Sequence, residues 1–309
     1  MKRRIVSVLT ALVMALSLLP VQALAEDAAV GEPEEPVREF VQGEAQLTVS
    51  TAAMAAGTAA AEVGTAADLT AALADSTNGV VRLTADITIT AGLKIQHNVT
   101  VNLNGHILRY DEAADPDSIF RVAGGGKTLT LTDSRPAATH EDAKLPAGGL
   151  ITGGKGYRHD GGHGGYHIYY CYGGGVYVET GASFELADGT IYACGIRDGA
   201  ISAYGGGIYC VGGSVTMSGG AIRNCAVSAD YGASGGAIFA KAGSVTMSGG
   251  VISGCSANTG GVALIDFAEL ELGENARITG CTATEKNNTK AGNVEYGAAI
   301  YMDLDSLYL

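Results

Sequence analysis

Three histidines and an aspartate crowd into the run Tyr157-Arg158-His159-Asp160-Gly161-Gly162-His163-Gly164-Gly165-Tyr166-His167. Imidazole and carboxylate ligands suit zinc or copper, which makes His159, Asp160, His163 and His167 a candidate metal set. Their four-residue spacing would align them on a helix, but the glycines between them disfavour one. The competing reading is a solvated loop inserted between structural units. A second chemistry lies in the cysteines. Cys194, Cys225, Cys255 and Cys281 each stand three residues after an isoleucine (Ile191, Ile222, Ile252, Ile278) and so occupy one column of a repeat. Parallel strands about 4.8 Å apart bring such a column within disulfide range, so Cys194 with Cys225 and Cys255 with Cys281 could bridge; the alternative is a ladder of buried thiols acting as small apolar fillers.

A third candidate is aromatic. Gly173-Gly174-Gly175-Val176-Tyr177, Gly205-Gly206-Gly207-Ile208-Tyr209, Gly235-Gly236-Ala237-Ile238-Phe239, Gly260-Gly261-Val262-Ala263-Leu264 and Gly297-Ala298-Ala299-Ile300-Tyr301 are copies of one motif, at steps of 32, 30, 25 and 37 residues. Its fifth position reads Tyr177, Tyr209, Phe239, Leu264, Tyr301. The flanking positions are apolar, so alternation turns the aromatics outward, where Tyr177, Tyr209, Phe239 and Tyr301 could stack on sugar rings or meet a protein. Cross-coil stacking that only steadies the sheet is the alternative. The seventh position carries Glu179, Val211, Lys241, Asp266 and Asp303. Catalysis on such a surface needs carboxylates clustered across neighbouring units; the column offers no close acidic pair before its last two members, and Asp198 and Asp230 in loops cannot be placed together. No catalytic residue is assigned.

Other matches fail on context. Gly232-Ala233-Ser234-Gly235-Gly236 fits a nucleophile elbow, but every histidine precedes it and no helix follows. Gly126-Lys127-Thr128 ends like a phosphate loop, but Arg121 stands where the first glycine belongs. The calcium-binding nonapeptide is absent, and no cofactor is expected.

The elements that must position these residues are short strands. From Val80 the apolar period is two: Leu83, Ile87 and Ile89, then Val99, Val101 and Leu103, then Leu129 and Leu131. Each later repeat adds a second motif, Ser214-Val215-Thr216-Met217-Ser218-Gly219-Gly220 and Ser244-Val245-Thr246-Met247-Ser248-Gly249-Gly250, with divergent copies at Ser183 and Glu269. Three strands per unit cannot bury an apolar face alone, so units must stack. The shortest unit, 25 residues, matches one turn of a right-handed parallel β-helix. Longer units would then carry loops, Ala226 to Ser234 and Thr284 to Glu295, and one extra residue between Leu272 and Ile278 predicts a bulge. Before the strands, Thr65 with Asp68 reads as a capping box opening a short amphipathic helix, over 63–78, that lids the first layer.

Composition agrees with an all-β chain: among 309 residues there are 46 glycines, 6 prolines and no tryptophan, with 17% charged and 47% hydrophobic. Residues 1–25 pair Lys2, Arg3 and Arg4 with an apolar stretch from Ile5 to Leu19 and Ala23-Leu24-Ala25, a secretory signal peptide too short for a membrane span. No transmembrane segment is expected after its removal. Residues 26–62, with Glu32-Pro33-Glu34-Glu35-Pro36, read as an acidic flexible linker. Without the signal, 16 basic residues face 32 acidic ones, a net charge of −16, which argues against nucleic acid and against strongly anionic polysaccharides unless a cation bridges them.

The runs Leu83-Thr84-Ala85-Asp86-Ile87-Thr88, Val101-Asn102-Leu103-Asn104-Gly105-His106 and Thr128-Leu129-Thr130-Leu131-Thr132-Asp133-Ser134, with the Gly-Gly-Ala-Ile units, resemble secreted bacterial β-helix surface proteins of pectin lyase-like architecture. They are also similar to the repeats of polymorphic outer membrane autotransporters. The resemblance covers about Val80 to the end, with one departure: the Asn usual after the Ile is Cys in four copies. It implies a right-handed parallel β-helix over 79–309, secreted or at the cell surface, with an adhesin-like role toward a glycan or a cell-surface protein. A lyase or hydrolase of the same fold and a purely structural stalk are the alternatives. The open coil at Leu307-Tyr308-Leu309 reads as a truncation, or as an edge covered by a partner or by self-association.

Overall fold

A computed structural model of the chain describes residues 60–162, 168–196, 200–283 and 299–302. The expected signal peptide, the linker before residue 60, the Thr284 to Glu295 loop and the open end at Leu307-Tyr308-Leu309 lie outside the described residues. The protein is a right-handed parallel β-helix. It opens with the strand Ala61–Val63, which pairs in parallel with Val80–Leu83. Helix α1, Ala66–Ala74, follows. The Asp68 N–H donates to the Thr65 hydroxyl at 3.1 Å, which itself donates to the Asp68 carboxylate at 2.7 Å, so the predicted cap is present. The helix is shorter than 63–78 because the first strand runs to Val63 and extended Asp75 ends it. Leu69 and Leu73 are buried under the first coil, which α1 lids.

Three sheets run along the molecule. The first continues from Val80–Leu83 through Val99–Asn102, Thr128–Thr132, Ser183–Leu186, Ser214–Met217 and Ser244–Met247 to Glu269–Leu272. The second stacks Ile87–Ile89, Ile107–Tyr110, Leu150–Thr152, Thr190–Tyr192, Ala221–Arg223, Val251–Ser253 and Arg277–Thr279. The third stacks Leu93–Ile95, Phe120–Val122, Val176–Val178, Ile208–Val211, Ile238–Lys241, Val262–Ile265 and Ile300–Met302. Strand alternation sends one apolar row from each sheet inward. In the first sheet Val101, Leu131, Leu186, Met217 and Met247 are in register, and in the second Leu108, Ile151, Ile191, Ile222 and Ile252. All ten side chains are fully buried, each contributing on the order of 1.5–3 kcal/mol relative to exposure.

The later coils depart from a plain three-sided helix. Where loops were expected between the second and third sheets, the insertions stack into two further sheets of four strands. One holds Gly195–Ile196, Ala226–Val227, Ser256–Ala257 and Thr282–Ala283. The other begins with the antiparallel hairpin Tyr157–Asp160 and Tyr169–Tyr172 and continues in parallel through Ser202–Tyr204 and Gly232–Ser234. The insertions leave and rejoin successive coils at matching points, so their backbones can pair. They enclose a small second core that includes Cys171, Ile196, Ala203, Val227, Ala233 and Ala257.

The double glycines form the neck of this side lobe, for two reasons. Gly205 has φ +71°, a left-handed turn that a side chain strains. A Cβ on Gly206 would collide with the Gly236 carbonyl oxygen and press on the Ala226 backbone, so only glycine lets the returning chain pass. The predicted bulge before Ile278 is instead a turn, closed by the Ala276 N–H on the Gly273 carbonyl at 3.1 Å.

Candidate functional site

The aromatic column lies on the outer face of the third sheet, as alternation requires. Register aligns Tyr177, Tyr209 and Phe239, then Ala263 and Tyr301. The fourth motif copy is one residue short, so Ala263 takes the place assigned to Leu264, and Leu264 turns into the core with 1% exposure. The column is not an open stripe. Tyr209 is 7% and Phe239 3% exposed, because Tyr172 and Tyr204 of the side lobe close over them. The rings of Tyr172 and Tyr209 lie 4.7 Å apart, Tyr204 and Phe239 4.7 Å, and Tyr209 and Phe239 stack at 5.5 Å. Burial pushes the Tyr172 hydroxyl up to about 12. Tyr177 and Tyr301 stay partly exposed. At one end Arg121 lies over the Tyr157 ring at 4.3 Å and donates to Glu179 at 2.6 Å. Burial works to raise the Glu179 carboxyl, but the Gly124 N–H and Arg121 outweigh it and hold the carboxyl below its usual range.

The cysteine column is buried as a ladder of free thiols, with Cys281 at its more open end. Cys225 and Cys255 each donate at 3.8 Å to an isoleucine carbonyl of the preceding coil, Ile191 and Ile222. Burial raises the Cys194 thiol to about 12 and Cys210 to about 11. Such thiols are inert as nucleophiles and serve as packing.

Of the proposed metal set, His159 and Asp160 are exposed on the hairpin strand Tyr157–Asp160, while His163 and His167 lie outside the described residues. Among the described residues no group of three or more potential ligands is arranged to hold a metal ion. Asp266 pairs with Lys241 at 3.1 Å, Asp230 is exposed, and Asp198 and Asp303 lie outside the described residues. A close acidic pair does exist at an unanticipated place. Asp133 and Asp188 line one small hollow, and burial first, then the Asp133 charge, raise the Asp188 carboxyl. Asp133 is 5% exposed and spends its carboxylate on the N–H groups of Gly105, Gly149 and Arg135, at 2.6, 2.6 and 3.1 Å. It ties down the base of the insertion 134–148 rather than facing a substrate.

That insertion also borders a groove on the outer face of the second sheet. Its floor is the outward row Arg109, Thr152 and Tyr192, each opposite the next in register. The hairpin supplies the opposite wall with Arg158 and Tyr169. The resulting cleft holds about 700 Å³ and presents Arg109, Lys155 and Arg158 against a single carboxylate, Glu112. Arg158 lies 4.7 Å from the Tyr169 ring centroid. Lys155 donates to the carbonyls of Glu112 and Ala114, which fixes its loop. Arg109 is exposed and makes no ion pair or side-chain hydrogen bond among the described residues. A second hollow of about 430 Å³ shares Arg109 and Leu145 with the cleft. It carries Arg135, His106 and His140 with Asp86, Glu141 and Asp142. His106 Nδ1 lies 3.4 Å from Asp86, and His140 Nε2 lies 2.8 Å from the Gly148 carbonyl.

Sequence reasoning missed this groove. Its one legible signal was Arg109, the lone charge in the apolar strand Ile107–Tyr110; its partners come from other coils and from the hairpin, and only register and insertion packing bring them together. Among the described residues, no helix is long and apolar enough to cross a membrane. Compared with protein-family models, with curated proteins and with solved structures, the chain finds no significant match.

Proposed function

We propose that the protein is a non-enzymatic β-helix of the secreted or cell-surface kind that binds a glycan in the groove on its second sheet, in the manner of an adhesin. The observation that carries this reading is the cleft of about 700 Å³ in which Arg109 and Arg158 stand beside Tyr169 and Tyr192. Guanidinium groups and aromatic faces together recognise the hydroxyls, acids and flat faces of sugars. The acidic pair Asp133 and Asp188 supports a binder over a hydrolase, since Asp133 is committed to backbone N–H groups. The similarity of the Gly-Gly-Ala-Ile units to adhesin repeats and the signal-like start of the chain support a surface role.

The second reading is a polysaccharide lyase or hydrolase of the pectin lyase-like kind, and it draws on His106 beside Asp86 in the same groove. One experiment separates the two. The full chain is passed over immobilised glycans, and the same glycans are assayed for shortening and for new reducing or unsaturated ends. Retention without cleavage is expected. Depolymerisation that His106→Ala abolishes would establish the enzyme, and neither retention nor cleavage would leave a stalk or a protein ligand.

A further inference from the structure

The charge along the groove changes sign, and this sets what kind of glycan fits it. In the cleft, three cationic side chains meet one carboxylate; in the adjoining hollow, Arg109 and Arg135 meet Asp86, Glu141 and Asp142. The protein as a whole carries −13, so the cleft is a local positive island in a negative field. A chain charged at every unit would gain at the cleft and be repelled in the hollow. A neutral chain would leave the exposed Arg109 guanidinium without an anion. We infer that the groove takes a saccharide bearing a carboxylate or sulfate on some of its units and not on their neighbours. Its acidic group sits in the cleft with Arg109 and Arg158, and its neutral neighbour sits in the hollow.

Arg109 is the pivot because it lines both halves. It projects from a strand of the second sheet that lies between Ile87–Ile89 and Leu150–Thr152, so its backbone is held on both sides. Its planar fork suits a carboxylate or sulfate. Arg158, stacked on Tyr169, offers a second fork and next to it a ring face for a sugar. In the hollow, the carboxylates of Asp86, Glu141 and Asp142 accept hydrogen bonds from neutral hydroxyls and repel a second acid. Direct anion binding by arginine also makes a bridging divalent cation unnecessary, which distinguishes this groove from one that holds acidic chains through metal.

This inference rests on the glycan-binding reading, and its test separates the two. Binding of the full chain is measured by calorimetry to oligosaccharides of hyaluronan (carboxylate on alternate units), keratan sulfate (sulfate without carboxylate), galacturonan (carboxylate on every unit) and dextran (none), and to duplex DNA. The expected result is tightest binding to hyaluronan or keratan sulfate, whichever acid the cleft prefers, weakening with salt and unchanged by a chelator. Arg109→Ala, a change at an exposed side chain, should weaken it about tenfold or more, and Lys94→Ala on the third sheet should leave it unaltered. Tightest binding to galacturonan, equal binding to dextran or to DNA, or indifference to Arg109→Ala would each overturn the inference. Dextran bound as well as the acidic chains would leave the glycan-binding reading standing, whereas no binding to any glycan would remove both.

Discussion

In the coils before Gly173 the interior is filled by Leu83, Val101, Leu103, Leu108, Phe120 and Leu131, and no two coils repeat each other's side chains. Their connections are individual too: Asp133 ties one, and the Tyr110 hydroxyl, donating to the Asp115 carbonyl at 2.6 Å, ties another. Between Gly173 and Cys255 the coils are near-copies. Ser214 pairs with Ser244, Met217 with Met247, and Ile222 with Ile252. One backbone plan is therefore stabilised in two ways. The first region relies on apolar volume and local polar ties, and the second on identical neighbours stacked so closely that glycine becomes obligatory. The groove lies where the two meet, since the irregular coils supply its walls and, through Arg109 and Thr152, most of its floor, while Tyr192 of the repeating region completes it.

Substitutions can break this contrast, and the largest effect belongs to the second region. Gly206→Ala places a Cβ against the Gly236 carbonyl, and a loss of at least about 3 kcal/mol is expected in denaturant unfolding. Gly125→Ala, where no atom lies within 4 Å of the added carbon, should cost only the strain of its positive φ, about 1 kcal/mol. Equal losses would refute the close-stacking account. Next is volume: Leu131→Ala in the first region should cost about 2–5 kcal/mol, and Cys225→Ala in the second about 1 kcal/mol. The unreduced wild-type chain should show all six cysteines reactive once unfolded, and a missing pair would mean that the ladder is bridged.

A smaller effect sharpens the boundary between the regions. Glu179→Gln should cost about 1 kcal/mol at neutral pH, the pair being partly solvated. A carboxyl held below its ordinary pKa stabilises above its unfolded value and loses that contribution as pH falls through the depressed one. The difference between variant and wild type should therefore vanish on acidification; a constant difference would mean that Glu179 acts by packing. Smallest of all, Tyr231→Ser at an 82% exposed ring should stay within about 0.5 kcal/mol.

Much of the coil was legible because its causes are local. Alternation in Val99, Val101 and Leu103 placed the inward face, the Ile191, Ile222 and Ile252 column gave the register of the second sheet, and Thr65 with Asp68 located the helix start. The aromatic column was placed on the correct face, yet its burial was not foreseen, since the cover over Tyr209 and Phe239 comes from Tyr172 and Tyr204 in segments that read as loops. The reading of Leu264 failed through a single missing residue, which moves the side chains of that strand to the faces opposite those the motif assigned.

By itself the sequence determined the stacking of short parallel strands, which sides of them face inward, and the capping of the first coil. These follow from a period of two, from repeat spacing and from one hydrogen-bonded cap, all set within a few residues. Only the tertiary structure decided that the insertions pair into a side lobe, that two of the aromatics are buried, and that Arg109 meets Arg158 across a groove. Those outcomes depend on how insertions of unequal length come to rest against neighbouring coils, and that is fixed by packing and register between residues far apart in the chain.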